Sequence, residues 1–397
     1  MDRAELVELL SPEGLRLLDS LPAYESSTDV LRLVNELRKA GHSPGLVAAV
    51  LTQSKLRAKA RVKFGEFADR MLFTEAGLEQ ATRLRVAALH AGRFSGAGLH
   101  RIADLGSGIG GDAMAMAAMD LAVTAVDADE VTATIASFNL APFPGAEARH
   151  GTAESVDLTG FDGVWLDPAR RTAGHSNTAR LSDSSDYSPS LDFAFGLGAR
   201  LPTGIKLGPG HDRSEIPPTA EAQWVSVDGR LVEMALWFDV LARRGIRRAA
   251  LVLSATGSNE LTGPGDSADE EVGPLGDYLY EPDGAVIRAR LIGDLARSLG
   301  ARMLSEGIAY LTSDDHVPTP FATAFRVLDV LPADEKKLRQ ALQARRIGTL
   351  EIKKRGVDVD PAALRTRLKP KGPESGTIVL TRVAGARAAL LVERIRP

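Results

Sequence analysis

One stretch, Arg101 to Asp112 (Arg-Ile-Ala-Asp-Leu-Gly-Ser-Gly-Ile-Gly-Gly-Asp), constrains the fold of this chain more than any other. A short apolar run closes on the acid Asp104, a glycine-rich turn follows, and Ala113 to Ala118 continue as a helix-forming segment. Glycines in such a turn let the backbone come close to a ligand, so the stretch predicts the first strand, turn and helix of a nucleotide-binding α/β sheet.

Gly106-x-Gly108-x-x-Gly111 satisfies the dinucleotide fingerprint, which alone is a weak signal. A dinucleotide rests its pyrophosphate on the helix N-terminus. There Asp104 and Asp112, at the two ends of the turn, would repel it. S-adenosylmethionine carries an ammonium and a sulfonium instead of phosphate, and carboxylates around the turn suit it. In this reading Asp104 receives the methionine ammonium, directly or through water. Gly106, Ser107, Gly108 and Gly110 form the backbone cradle.

Length, cysteine content and charge narrow the class. The 397 residues exceed one ordinary core, and two or three domains are expected. With no cysteine there is no disulfide, no cysteine-ligated metal and no cysteine nucleophile. No apolar run approaches the ~18 residues of a membrane span, and Met1 to Ser20 is too charged for a secretory signal. A soluble, cytoplasmic protein is the expectation. From Pro332 to Pro397 there are 16 Lys and Arg against 7 Asp and Glu; with a net charge of -4 overall, the preceding residues carry -13. A basic tail on an acidic body fits either a nucleic-acid-facing module or a solvated face.

Along the chain, Thr28 is expected to cap a helix carrying Leu31, Val34 and Leu37, and Ser43-Pro44 to open another carrying Leu46, Val47, Val50 and Leu51. Five basic residues fall between Lys55 and Lys63, suiting a solvated helix surface or phosphate contact. Phe73 and Thr74 lead a segment that can fold over the turn. A second strand, Leu121 to Val126, ends at Asp127, 21 residues past Gly106, where a carboxylate accepts ribose hydroxyls and Ala128 follows. Glu154, after a third strand, is a candidate for the adenine amine or an exposed loop acid. Another apolar strand ends in Asp167-Pro168-Ala169-Arg170-Arg171, and open α/β sheets bind ligands at the carboxyl ends of their strands. Proline fixes the backbone there and leaves carbonyls free to accept hydrogen bonds.

Ser182 to Tyr187 is expected as a polar loop. Lys206, within the strand Gly204 to Leu207, is either a site residue or at an exposed strand edge. Val232 to Ala242 is ambiguous between strand and helix. Gly257 to Gly284, rich in Gly, Pro and acids, is expected as a linker, followed by one helix over about Ile287 to Leu299. Further elements are expected at Thr323 to Val330, Asp334 to Arg346, Thr349 to Lys354, Asp360 to Leu368, Thr377 to Val383 and Ala388 to Arg394.

The Asp104 to Gly110 turn, Asp127 and Asp167-Pro168 together resemble a class I S-adenosylmethionine-dependent methyltransferase. More narrowly, Leu78-Glu79-Gln80-Ala81-Thr82, Asp104 to Asp112, Asp167 to Arg171, Tyr187-Ser188-Pro189, Gly204 to Gly210 and Ile352-Lys353-Lys354-Arg355-Gly356 resemble the methyltransferase family with a C-terminal THUMP-like domain. The resemblance implies a Rossmann-like class I sheet with an N-terminal helical domain (1–95), a cofactor-binding domain (96–256) and a small α+β THUMP-like domain (275–397). It implies S-adenosylmethionine as cofactor and RNA, tRNA or rRNA, as substrate, with a small molecule, a protein, or non-catalytic RNA binding as alternatives. Related amino-group methyltransferases place Pro-Pro-aromatic after the strand-ending Asp or Asn; Ala169 and Arg170 stand here instead. Asp167 and Pro168 are thus expected to orient the nucleophile, with Arg170 replacing the stacking face or gripping a phosphate.

Overall fold

The computed structural model describes residues 1–22, 24, 27–170 and 187–395, and in it the chain divides into two compact units. Met1–Leu207, with the short returns Pro217–Thr219 and Trp237–Ala242, form the first. It opens with helices α1 (Arg3–Leu9), α2 (Pro12–Ser20), α3 (Ser27–Lys39) and α4 (Pro44–Phe64). Ser11 and Ser43 cap α2 and α4 through their side chains, each with a proline just inside, where the missing N–H costs nothing. The side chain of Thr28 lies outside the described residues. α4 buries Leu46, Val47, Val50 and Leu56. Short α5 (Glu75–Gln80) and α6 (Leu84–Gly96) lead to the sheet.

That sheet is parallel and built by alternation: β1 (Arg101–Leu105), α7 (Gly111–Ala117), β2 (Ala122–Asp127), α8 (Glu130–Leu140), β3 (Ala146–His150) and β4 (Gly163–Leu166). The two-residue strands β5 (Ala169–Arg170) and β6 (Tyr187–Ser188) pair, then α9 (Leu191–Gly198) leads to β7 (Thr203–Leu207). In the order β3-β2-β1-β4-β7, the ends of β1 and β4 lie side by side at the centre. β1 and β4 are buried along nearly their whole length, as a parallel strand covered on both faces must be. Beneath them lies an aromatic cluster. Trp165 of β4 stands 4.4 Å from the His90 ring, 5.6 Å from Trp237 and 6.3 Å from Phe94, all centroid to centroid. Gly204 on β7 makes room for it, because a Cβ there would lie 2.6 Å from the Trp165 ring.

The second unit comprises Gly208–Ile216, Ala220–Leu236 and Arg243–Pro397. Its first strands are β8 (Glu221–Val227), β9 (Arg230–Phe238, whose last two residues belong to the first unit), β10 (Arg248–Ser254) and β11 (Gly257–Gly263). The ambiguous Val232 to Ala242 is therefore strand through Phe238. β10 runs parallel to β8 and antiparallel to β11. The expected linker begins with that β11 strand, because Ala255 and Thr256 turn the chain back along β10 and the ladder, not composition, decides. The same stretch ends in β12 (Tyr278–Pro282). The single helix expected next is two, α10 (Gly284–Arg288) and α11 (Ile292–Leu299), broken where Arg290 takes a φ of 59°.

β13 (Arg302–Ser305), β14 (Ile308–Ser313), β15 (Ala322–Leu331), α12 (Glu335–Ala344), β16 (Ile347–Lys354), α13 (Pro361–Leu368), β17 (Glu374–Val383) and β18 (Ala386–Arg394) complete the unit. Seven strands form a mostly antiparallel sheet in the order β13-β14-β12-β15-β18-β17-β16. Alternate residues of β17 face opposite ways. Ile378 joins Leu338, Leu342, Leu364 and Leu368 of α12 and α13, while Val379 joins Leu279, Tyr310 and Phe325. Among the described residues no helix is long and apolar enough to cross a membrane.

Candidate active site

β1 delivers Asp104 to the sheet's carboxyl edge, where it is fully buried, and neither carboxylate oxygen has a hydrogen-bond partner among the described residues. Burial, then the charges of Asp112 and Asp167, push this carboxyl well above its ordinary 3.8; the Lys206 ammonium opposes them. A buried acid with two orphan oxygens is costly unless protonated or met by a cation.

Past Asp104 the backbone turns through Gly106, Gly108 and Gly110, all at positive φ (82°, 56° and 84°). A Cβ on Gly106 would lie 3.1 Å from the Asp167 carbonyl oxygen and 3.7 Å from Pro189 Cδ, so the turn and the two strand-end segments close on one another. The amides of Gly106 and Ser107 both donate to the Val126 carbonyl, and the Ser107 hydroxyl is buried without a partner among the described residues. Asp127, at the end of β2, accepts from the Gly108 amide and from the Asp129 amide, each at 2.9 Å. Burial raises its carboxyl despite those two bonds. Ala128 and Glu154 both lie exposed, Ala128 one residue beyond Asp127 and Glu154 in a single 3-10 turn (Ala153–Ser155) after β3.

Asp112 corrects the picture of two acids lining the turn. Its side chain points back into the core, accepting from Thr82 Oγ1 at 2.7 Å and sharing a 2.9 Å hydrogen bond with His90 Nδ1. Burial raises its pKa, but the His90 bond and charge, Lys206 and Thr82 outweigh that and hold the carboxyl below 3.8. The stability Asp112 adds is therefore present at neutral pH and lost as pH falls through that depressed value. Asp112→Ala removes the carboxylate that holds Thr82 and His90 in the core and should cost about 3 kcal/mol in urea unfolding at pH 7, the scale for loss of a buried, hydrogen-bonded charge; a loss under 1 kcal/mol would contradict this placement.

The segment before α6 packs directly on the turn. Asn139 donates to the carbonyls of Leu72 and Ile109 and accepts from the Leu72 amide, while Gln53 pairs with the amide and carbonyl of Phe73. Phe73 itself is fully buried, 5.8 Å from the Phe64 ring, so its side chain is core. Thr74 caps α5 through the Gly77 amide. Lys63 Nζ donates to the carbonyls of Leu78, Glu79 and Ala81, holding the carboxyl end of α5. Burial, with Lys206 and Arg83 nearby, pulls that ammonium down to about 8. In the basic run, Arg57 is bound to Asp19 and the Met71 carbonyl, Lys59 to Glu79 and Arg61 to Asp69. Four of its five cations therefore have contacts within the chain.

Asp167 stands one residue past β4 and Lys206 one past its register partner in β7, since Leu166 pairs with Ile205. Lys206 Nζ lies 2.5 Å from Asp167 Oδ2 and also donates to the Gln80 carbonyl at 3.3 Å. With its side chain 12% exposed and set against Asp167, Lys206 does not lie at an open strand edge. Arg170 donates from Nε to the Tyr187 hydroxyl at 2.9 Å, its guanidinium 5.5 Å from that ring. Arg171 and Ser182 to Asp186 lie outside the described residues. Sequence reasoning missed the partners Thr82, His90 and Gln80; the Leu78 to Thr82 motif holds Gln80 and Thr82, while His90 on α6 had no local signal.

An ammonium or sulfonium fits an edge whose innermost carboxylate has two unsatisfied oxygens; a pyrophosphate does not. Two family models match parts of the chain, a THUMP domain-like model at residues 322–394 and a domain of unknown function, DUF8688, at residues 2–60. Over 372 residues the chain is 36% identical to the uncharacterized S-adenosylmethionine-dependent methyltransferase MT3122 of Mycobacterium tuberculosis (strain CDC 1551 / Oshkosh), a match spanning 91% of this chain and 99% of that one. This chain belongs to the S-adenosylmethionine-dependent methyltransferases. The methyltransferase matches Rv3037c of M. tuberculosis strain ATCC 25618 / H37Rv to the same extent. Its fold is similar to a crystal structure of a candidate methyltransferase from Porphyromonas gingivalis W83, with a TM-score of 0.72 at 19% identity over 94% of this chain and 100% of that one. Its cofactor is S-adenosylmethionine, as the acid-glycine turn implied.

Proposed function

We propose that this methyltransferase modifies RNA, of the tRNA or rRNA class, and that its THUMP-like portion docks the substrate. The observation that carries the RNA reading is the distribution of unmatched charge on α12, α13 and their flanks. Lys336, Lys337, Arg346, Lys369 and Lys371 are exposed and hold no ion pair with a described residue. By contrast Lys353 and Arg355 are spent on Glu281, at 2.6 and 3.9 Å, and Arg367 on Glu335, so only part of the basic tail is free of acidic partners among the described residues. Cations without acidic partners are what a folded RNA backbone requires.

In this reading residues 1–95, 96–256 and 275–397 are the helical, cofactor-binding and docking portions. Asp104 meets the ammonium, Gly106, Ser107, Gly108 and Gly110 cradle the donor's backbone side, Asp127 with Ala128 takes the ribose and Glu154 the adenine. Phe73 anchors, and Thr74 caps, the segment that covers the turn. When bound, the cofactor supplies an electrophilic methyl group on a sulfonium. Asp167 and the Pro168 carbonyl orient the acceptor for in-line displacement, where alignment supplies much of the rate. Arg170, steadied by Tyr187, meets a substrate phosphate. With no cysteine in the chain, five-position pyrimidine methylation lacks its nucleophile, leaving a nitrogen or hydroxyl as acceptor.

Binding of the full-length protein to bulk tRNA should weaken steeply with salt. A slope of log K against log salt of roughly -3 to -5 is expected for about four to six phosphate contacts, reduced by about 2 when Lys369 and Lys371 are both changed to Ala. A flat response would direct the search to small-molecule or protein acceptors.

A further inference from the structure

The two carboxylates at the sheet edge, Asp104 fully buried and Asp167 partly so, do unequal work, and Lys206 divides it. Asp104 and Asp167 stand at the carboxyl ends of neighbouring strands, and the Asp167 charge disfavours ionisation of Asp104. Adjacent acids of this kind separate into one that stays anionic and one that protonates or takes a cation. Lys206 lies against Asp167 at 2.5 Å and is anchored from behind by the Gln80 carbonyl at the negative end of α5, whose other carbonyls Lys63 holds. Asp104 receives no such contact.

We propose that Lys206 is a positioning residue that fixes Asp167 as an oriented carboxylate, so that the acceptor must be a hydrogen-bearing nitrogen or hydroxyl. The inference rests on the methyl-acceptor role proposed for Asp167, and extends it to the chemical class of acceptor. An ionised carboxylate only accepts hydrogen bonds, so it orients an N–H or O–H and repels a bare ring-nitrogen lone pair. As the acceptor's electron pair forms the new bond to carbon, the carbon–sulfur bond breaks and its pair stays on sulfur. The acceptor's proton leaves toward Asp167 and then solvent. Among the described residues, other charged groups facing this pair are Asp104 from β1, Asp112 from α7 and Lys63 from α4, with Arg83 acting in turn on Lys63.

The test is carboxyl NMR of full-length protein labelled at aspartate with 13C, with the Asp167 signal assigned by its loss in Asp167→Asn. In Lys206→Met the Asp167 midpoint should rise by at least about one pH unit, and in Lys206→Arg it should return to the wild-type value. Lys206→Gln replaces the Met variant if that variant fails to fold. With RNA stripped from a strain lacking the gene as acceptor, the acid limb of the pH–rate profile should move up by the same amount, with the cofactor KM within about twofold. An unmoved midpoint, or a rate that falls equally at every pH, overturns the proposal. If wild-type protein methylates no RNA the substrate reading fails, and the carboxyl titration alone decides the role of Lys206.

Discussion

Asp167→Asn is expected to lower methyl transfer to RNA by about 100-fold or more at pH 7 while changing cofactor affinity by less than about threefold. Two features of the structure separate these effects. The backbone carbonyl of Asp167 approaches Gly106, and the substitution leaves it in place. The side chain faces Lys206, and the substitution removes its charge. An amide there accepts through one oxygen and donates through its nitrogen, so the acceptor group loses its fixed orientation and misplacement by about 1 Å costs on the order of 100-fold. Single-turnover transfer of labelled methyl groups, set beside calorimetric cofactor titration, measures both quantities. Equal losses in the two would make Asp167 a cofactor ligand alone.

Asp104→Asn should have opposite effects on binding and stability. Cofactor affinity falls by roughly 10- to 100-fold, the range for losing a charge-assisted contact of about 1.5–3 kcal/mol. The protein without cofactor becomes more stable at pH 7–8, by about 1–3 kcal/mol, because a buried carboxylate with no partner is removed. The sign follows from linkage. The folded-state pKa of Asp104 lies above its unfolded value of 3.8, so the folded state binds more protons there and this group's contribution declines as pH rises from that value toward the folded one. Wild-type stability without cofactor should therefore fall over that interval, and the Asn variant should lack that component. Urea unfolding at pH 5 and pH 8 tests it; an Asn variant less stable than wild type at pH 8 would mean that Asp104 has a partner in the folded protein.

These expectations draw on parts of the site that were legible in sequence to different degrees. The turn at Gly106 to Gly110 was readable because a positive φ is a local demand that only glycine meets cheaply. Asp104, Asp127 and Asp167 were readable because each closes an apolar strand, and the strands of an open α/β sheet place such ends together. The direction of Asp112 was not, since it is set by Thr82 and His90, brought up by other elements 30 and 22 residues away. Phe73 illustrates the same limit, as its depth depends on Phe64 and Gln53. Lys206 kept two readings in sequence because only the β4–β7 register reveals that Asp167 lies beside it. In the second unit, α12, α13 and the last four strands followed from clear periodicity, whereas β11 was hidden by a polar, glycine-flanked sequence that gains its structure from pairing with β10.

The central claim is that a cationic methyl donor meets the Asp104 edge and that Asp167 directs its methyl group to RNA. The most direct measurement is incubation of full-length protein with S-adenosylmethionine labelled in the methyl group and total RNA from a strain lacking the gene, followed by nucleoside mass spectrometry. One methylated nucleoside carrying label on a nitrogen or hydroxyl oxygen, absent with Asp167→Asn, is the predicted result. Label that appears only in protein or small molecules, or in RNA equally with wild type and Asp167→Asn, would contradict it.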